Sequence, residues 1–278
     1  MRLCRLCRLC LVLIVAASCA RDHSVERAPP GMEEVPEAPP HPKAAEPPSL
    51  APSPVPERDS VTPPASSIPA NVEIFPGVRI DRAARTVAFD GTVPIDCHNE
   101  RTPVVYLEVV VCTPDTKEHE ALVLTRVKPS HVHAALLALG LEPGRVGVWN
   151  WDGPRLTAEA PTGPRLKITL SYVLKGAVIE ATPQEWILNI RNQRTLVTEA
   201  GSNGWVFSGS AVVTRGGQEW YHADREGCLI GLTCFGHETI SWTEMFSPDS
   251  GIHEPQWIAD SRTVPPYGTA VTVTVQAP

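Results

Sequence analysis

The first 70 residues contain no Phe, Trp or Tyr. Residues 19–70 are instead dense in Pro, Ala, Glu and Ser. Such a segment buries too little apolar surface to offset its chain entropy. It is expected to be a disordered linker with polyproline II character. Fully extended, it would span on the order of 150 Å. A transmembrane helix is missing too: the apolar run Leu9–Ala17 falls well short of the roughly 20 residues needed, and no second apolar span follows. Clustered Lys and Arg are also absent. The formal charge is −7, and −10 once Arg2, Arg5 and Arg8 are set aside. That balance argues against a general nucleic-acid binder, which needs a basic stripe.

Several chemical signatures are missing. His119-Glu120 starts an H-E-x-x-H pattern, but position 123 is Val, so no second imidazole lies one helical turn on. No serine sits in G-x-S-x-G, and there is no phosphate loop. Cys4, Cys7 and Cys10 form C-x-x-C-x-x-C, yet Leu11 to Val15 supply neither the fourth Cys nor the Pro of a cluster-binding run. Beyond residue 70 no cysteine pair has C-x-x-C spacing, so a redox dithiol or zinc ribbon is unsupported.

What the N-terminus does contain is a basic segment, an apolar run and the small residues Ala16-Ala17-Ser18 before Cys19. That order describes an export signal. Ala16-Ala17-Ser18-Cys19 resembles the lipobox of bacterial lipoproteins, with Ala16 where Leu is commonest. The reading is therefore a signal peptide over 1–18 and a lipidated Cys19, with plain secretion after Ala20 as the alternative. An anchored chain has the membrane as its first partner. Ala20, in place of Asp, suggests the periplasmic side of the outer membrane by resemblance to Gram-negative lipoproteins.

Residues 71–278 carry every Phe, Trp and Tyr, a length suited to one large domain. The sequence GVRIDRAARTVAFDGTV predicts two alternating strands around a turn near Asp81, with a second turn at Asp90-Gly91. Val104–Cys112 predicts a buried strand with Ala121–Val127 as its partner, and Arg165–Leu174 alternates cleanly. One helix is expected over about 130–140, with Ser130 as N-cap and Gly140 past its end. A weaker helical turn is expected at Thr182–Trp186. The fold class so read is α+β: a mostly antiparallel sheet domain with one clear helix.

The richest polar stretch is Lys117-Glu118-His119-Glu120. On a strand, Lys117 and His119 would share one face and the two glutamates the other. A solvated strand edge is one reading; a polar cluster closing a cleft with Ser130, His131 and His133 is the other. His131 and His133 point about 200° apart on a helix and cannot chelate one ion together. A divalent metal would therefore need His119, Glu120 and one helix histidine such as His133; no other cofactor is suggested. Trp149, Trp151, Trp186, Trp205 and Trp220 are candidates for a groove, or for packing. Cys97, Cys112, Cys228 and Cys234 allow three pairings. Cys97–Cys112 is favoured as a structural bridge, with Cys228 and Cys234 as buried thiols.

Taken together, GVRIDRAARTVAFDGTV, Cys97, YLEVVVCTPDTKEHEALVLTRVKPSHVHAALLALGLEPG, WVFSGS and VPPYGTAVTVTV resemble the YdjY-type domain proteins, common among lipoproteins of planctomycetes and related bacteria. The resemblance spans residues 75–278 and is most specific over Cys112–Glu120. It implies an envelope-facing domain with Cys112, Lys117, Glu118, His119, Glu120, Pro129, Ser130 and His133 as its hallmark. Some such proteins carry a ferredoxin-like label, from which this chain departs because residues 71–278 lack a cluster-binding run. Two functional readings stay open. One is an anchored module that binds a ligand or envelope partner. The other is a metal-binding, hydrolytic or redox enzyme centred on Lys117–Glu120 and the helix histidines.

Overall fold

The computed structural model describes residues 71–278. The expected signal peptide, the expected lipidation site Cys19 and the expected linker lie outside the described residues. The strands are β1 (Val72–Phe75), β2 (Val78–Asp81), β3 (Thr86–Thr92), β4 (Val109–Cys112), β5 (Ala121–Leu124), β6 (Val148–Asp152), β7 (Arg155–Glu159) and β8 (Arg165–Leu174). They continue with β9 (Ala177–Ala181), β10 (Ile187–Asn189), β11 (Trp205–Phe207), β12 (Val212–Arg215), β13 (Gln218–Tyr221), β14 (Cys228–Gly231), β15 (Ile240–Trp242), β16 (Trp257–Ala259) and β17 (Ala270–Gln276). The helices are α1 (Pro129–Ala138) and three short ones: α2 (Pro183–Trp186), α3 (Leu196–Glu199) and α4 (His222–Glu226).

This architecture corrects the α+β expectation. Among the described residues strands hold 40% against 12% in helices, and eight of the strands close on themselves. The ring runs β3-β17-β8-β11-β15-β14-β4-β5 and returns to β3. Its pairings are antiparallel except for β14–β15 and β4–β5, which are parallel. Closure removes the open edges that a sheet would otherwise have to protect. Two strands serve the ring and its extensions at once. β3 gives the first part of one edge to β2 and its Thr92 to Leu124 of β5. β8 likewise divides one edge between β11 and β9.

Local sequence explains the long staves. In β17, Val271, Val273 and Val275 are buried while the residues between them are not. β8 alternates in the same way through Leu166, Ile168, Leu170 and Tyr172. Period-two burial is what a strand with one face on a core requires. Trp186, Trp205, Trp242, Phe89 and Phe207 are among the largest side chains fully buried in this core. Each such aromatic adds on the order of 2–3 kcal/mol of burial energy. Trp186 and Trp205 are thus packing residues. Trp151 and Trp220 instead stand exposed on the β6–β7 and β12–β13 hairpins.

Two expectations change at the closure. Asp90-Gly91 is not a turn; both residues lie inside β3. A Cβ on Gly91 would lie 2.5 Å from Val123 Cγ1 and 2.7 Å from Leu124 O. The glycine is there because β5 crosses its surface at backbone distance. The predicted strand Val104–Cys112 shrinks to β4, all four residues of which are buried. Its partner β5 runs parallel to it, so Lys117-Glu118-His119-Glu120 serves as the crossover and cannot be strand.

The single predicted helix is only one short element on the barrel. α1 starts at Pro129, with Lys128 in the N-cap position in place of Ser130. Its far end is as expected: Gly140 has φ +82 and its N–H donates to Leu137 O (2.8 Å), with Leu141 N–H donating to Leu136 O (3.2 Å).

Candidate functional site

Residues Glu118–Glu120 form a 3-10 turn, with Ala121 starting β5 immediately after. A three-residue period puts Lys117 and Glu120 on one side. The Lys117 Nζ lies 2.7 Å from Glu108 Oε2 and 3.6 Å from Glu120 Oε2. It also sits 4.5 Å from the centroid of the Phe235 ring. Lys117 therefore bridges two carboxylates above an aromatic face. The alternating arrangement expected for a strand, with lysine and glutamates on opposite faces, is not what forms.

Glu118 has a different task. Its carboxylate accepts from the backbone N–H groups of Asp115 (3.0 Å) and Thr116 (2.8 Å). Its own backbone N–H and these two hold its pKa below the usual range. It fixes the turn that aims Lys117 inward. His119 is exposed and lies 3.6 Å from Glu120.

The electrostatics of the bridge are uneven. Burial pushes the Glu108 carboxyl up; the Lys117 hydrogen bond opposes this, and the neighbouring Glu120 carboxyl adds to it. Burial alone would lower the Lys117 ammonium, but its bond to Glu108 and the charges of both glutamates leave it raised overall. One ammonium thus serves two carboxyl groups.

Glu108 and Glu120 face a cavity of about 220 Å³. Tyr106, Phe246, Trp257 and His253 form other parts of its wall. The Phe246 and Trp257 rings are 5.5 Å apart between centroids. Leu107 N–H donates to Trp257 O (2.9 Å), which ties the β16 wall to the segment leading into β4. His253 Nδ1 accepts from Ser247 N–H (3.0 Å), so a neutral ring carries its proton on Nε2. Fully buried Glu238 accepts from the N–H groups of Phe235 and Gly236 and clamps the loop that carries the Phe235 ring.

The histidines of α1 are not part of this assembly. His131 stacks on Phe75 at 4.7 Å between centroids. His133 Nδ1 is 2.8 Å from the Tyr221 hydroxyl, and burial lowers its pKa. Ser130 donates from N (2.7 Å) and from Oγ (2.6 Å) to the two oxygens of Asp224 on α4. Asp224 so caps α1, where its negative charge also suits the helix dipole. Among the described residues no group of three His, Cys, Asp or Glu side chains is arranged to hold a metal ion.

At the level of sequence, residues 78–276 match the YdjY domain. The chain belongs to the YdjY domain family. No curated protein and no solved structure compared with it matches. Within the YdjY domain, the hallmark expected from resemblance divides by position. Lys117 and Glu120 reach the cavity cluster, Glu118 locks the turn, and Pro129, Ser130 and His133 dock α1. Glu108, Phe246, His253 and Trp257 went unremarked in sequence. Only Glu108 carried a signal there, as the one charge inside VVYLEVVVC.

Cys97 and Cys112 are free thiols in this structure, so the expected bridge is not formed. Cys97 packs against the main core, whereas Cys112 belongs to a small separate cluster with Val109, Ala121 and Cys228.

Proposed function

We propose that this YdjY protein is an exported, lipid-anchored module of the cell envelope that binds a small ligand in the cavity beside Glu108 and Glu120. Arg2, Arg5, Arg8, the apolar run and Cys19 support the anchor. Among the described residues no helix is long and apolar enough to cross a membrane. The observation that carries the binding reading is the cavity itself, with aromatic walls and two carboxyl groups sharing one lysine. Concave, mostly apolar sites with a few converging polar groups are where small molecules bind. The aromatic walls suit an apolar body, and the surplus carboxyl suits a positively charged end.

The test uses benzylammonium as the probe, with benzyl alcohol as its uncharged counterpart, followed by NMR. Saturable shifts in the Trp257 indole signal are expected with benzylammonium. Glu120→Gln is expected to weaken binding several-fold and leave the fold intact, and Trp257→Ala to remove it. No saturable binding of either compound would overturn the site. Equal binding of both would overturn the cationic preference. The anchor has a separate test: labelled palmitate is expected on the full chain and lost with Cys19→Ala.

A further inference from the structure

We propose that Cys112 and Cys228 form a cross-strand disulfide when the chain folds in the presence of a disulfide oxidant. The two residues, both free thiols in this structure, are direct partners where β4 meets β14, beside a β-bulge between Cys228 and Ile230. Thr113 N–H donates to Gly227 O (2.9 Å), which joins the residue after one cysteine to the residue before the other. In an antiparallel ladder this pattern marks Cys112 and Cys228 as a non-hydrogen-bonded pair, with Cα atoms about 4.5 Å apart. That spacing lies within the range a disulfide spans. Directly opposite residues of two paired strands point to one side of the sheet, and both side chains enter the same small buried cluster. Among the described residues the other two cysteines are placed elsewhere. Cys97 packs against the main core. Cys234 lies against Gly147, where an added Cβ would be 2.5 Å from its Sγ.

The chemistry is a two-electron oxidation. Each thiol gives up a proton and an electron, the S–S bond forms, and an external disulfide such as oxidised glutathione is reduced to two thiols. Exchange proceeds through a thiolate. Burial pushes the Cys112 thiol up to about 11 and raises Cys228 as well. Exchange in the native state is therefore slow, and oxidation belongs to folding, before β4 and β14 close over the sulfurs. Once formed, the bond is shielded from reductants by the same burial. It would join two strands of the ring far apart in sequence, across the crossover that carries Lys117 and Glu120.

The test refolds the reduced full-length protein in a glutathione redox buffer, then alkylates it under denaturing conditions without reductant and maps its peptides. Within residues 71–278 the expected result is one cross-linked pair joining Cys112 to Cys228, about 2 Da lighter than its separate halves. Cys97 and Cys234 are expected to be alkylated. Cys234→Ala should keep the cross-link, and Cys112→Ser should leave Cys228 alkylated. Alkylation of both Cys112 and Cys228 in the refolded wild-type protein would overturn the proposal. So would a link from either of them to Cys97 or Cys234.

Discussion

At the scale of single residues, Lys117 has the most to lose by substitution. Its ammonium is the cation that keeps Glu108 and Glu120 tolerable beside an apolar cavity. Lys117→Met keeps the length and packing but leaves two carboxyl groups together. The Glu108 pKa, already raised in the folded chain, should climb further above its unfolded value. A carboxyl raised by folding costs stability once the pH exceeds its unfolded pKa, and that cost vanishes as the pH falls and the group is protonated in both states. Urea unfolding at pH 7 should therefore show a loss of about 1–3 kcal/mol. At pH 4 the loss should shrink to the packing component alone. An equal loss at both pH values would show that the ammonium acts by packing. The residue types of this cluster could be read from the sequence, but their partners could not. Glu108 lies on the approach to β4, Phe235 just beyond β14, and Trp257 on β16. Only folding brings Glu108 and Phe235 to Lys117, and Trp257 to the cavity that Glu108 faces.

At the scale of elements, much of what was legible was local. The β8 alternation, the turn after Asp81 and the Gly140 helix end each follow from a few adjacent side chains. What escaped was the set of features defined by contacts between distant segments. Ser130 has the composition of an N-cap but instead donates to Asp224 on another helix. Gly91 follows Asp90 in a typical turn dipeptide, yet it sits within β3 because the strand is already committed on both edges. β17 pairs along its whole length on one side, and β5 crosses at its end. This makes Gly91 a sensitive point. Gly91→Ala places a methyl against the Leu124 carbonyl, which is backbone and cannot rotate away. A destabilisation of about 1–3 kcal/mol in denaturant unfolding is expected, the usual range for an overpacked site. A change below a few tenths of a kcal/mol would mean that β3 and β5 separate easily and that the ring is weakly closed.

At the scale of the whole molecule, closure of the ring decides how stability is distributed. The α+β expectation missed this because no local pattern announces that the last strand of a sheet will meet an early one. Here the C-terminal β17 lies between β3 and β8, so the ring cannot be completed until the end of the chain has docked. Such long-range pairings tie the staves into one cooperative unit and favour slow folding. The β6–β7 and β12–β13 hairpins are different. Each is a separate two-stranded sheet whose strands are largely exposed, and a lone hairpin is marginally stable. Native-state hydrogen exchange should divide along the same line. Backbone amides of β3, β8 and β17 are expected to exchange last, with opening energies close to global unfolding. Those of β6, β7, β12 and β13 should exchange orders of magnitude faster, without loss of the Trp186 and Trp205 core signals. If the β6–β7 amides were protected as well as those of β17, the contacts of Trp149 with Cys234 O (3.2 Å) and the His253 ring (5.6 Å) would be holding the hairpin to the barrel. The exposure of Trp151 at 65% would then need a partner to explain it.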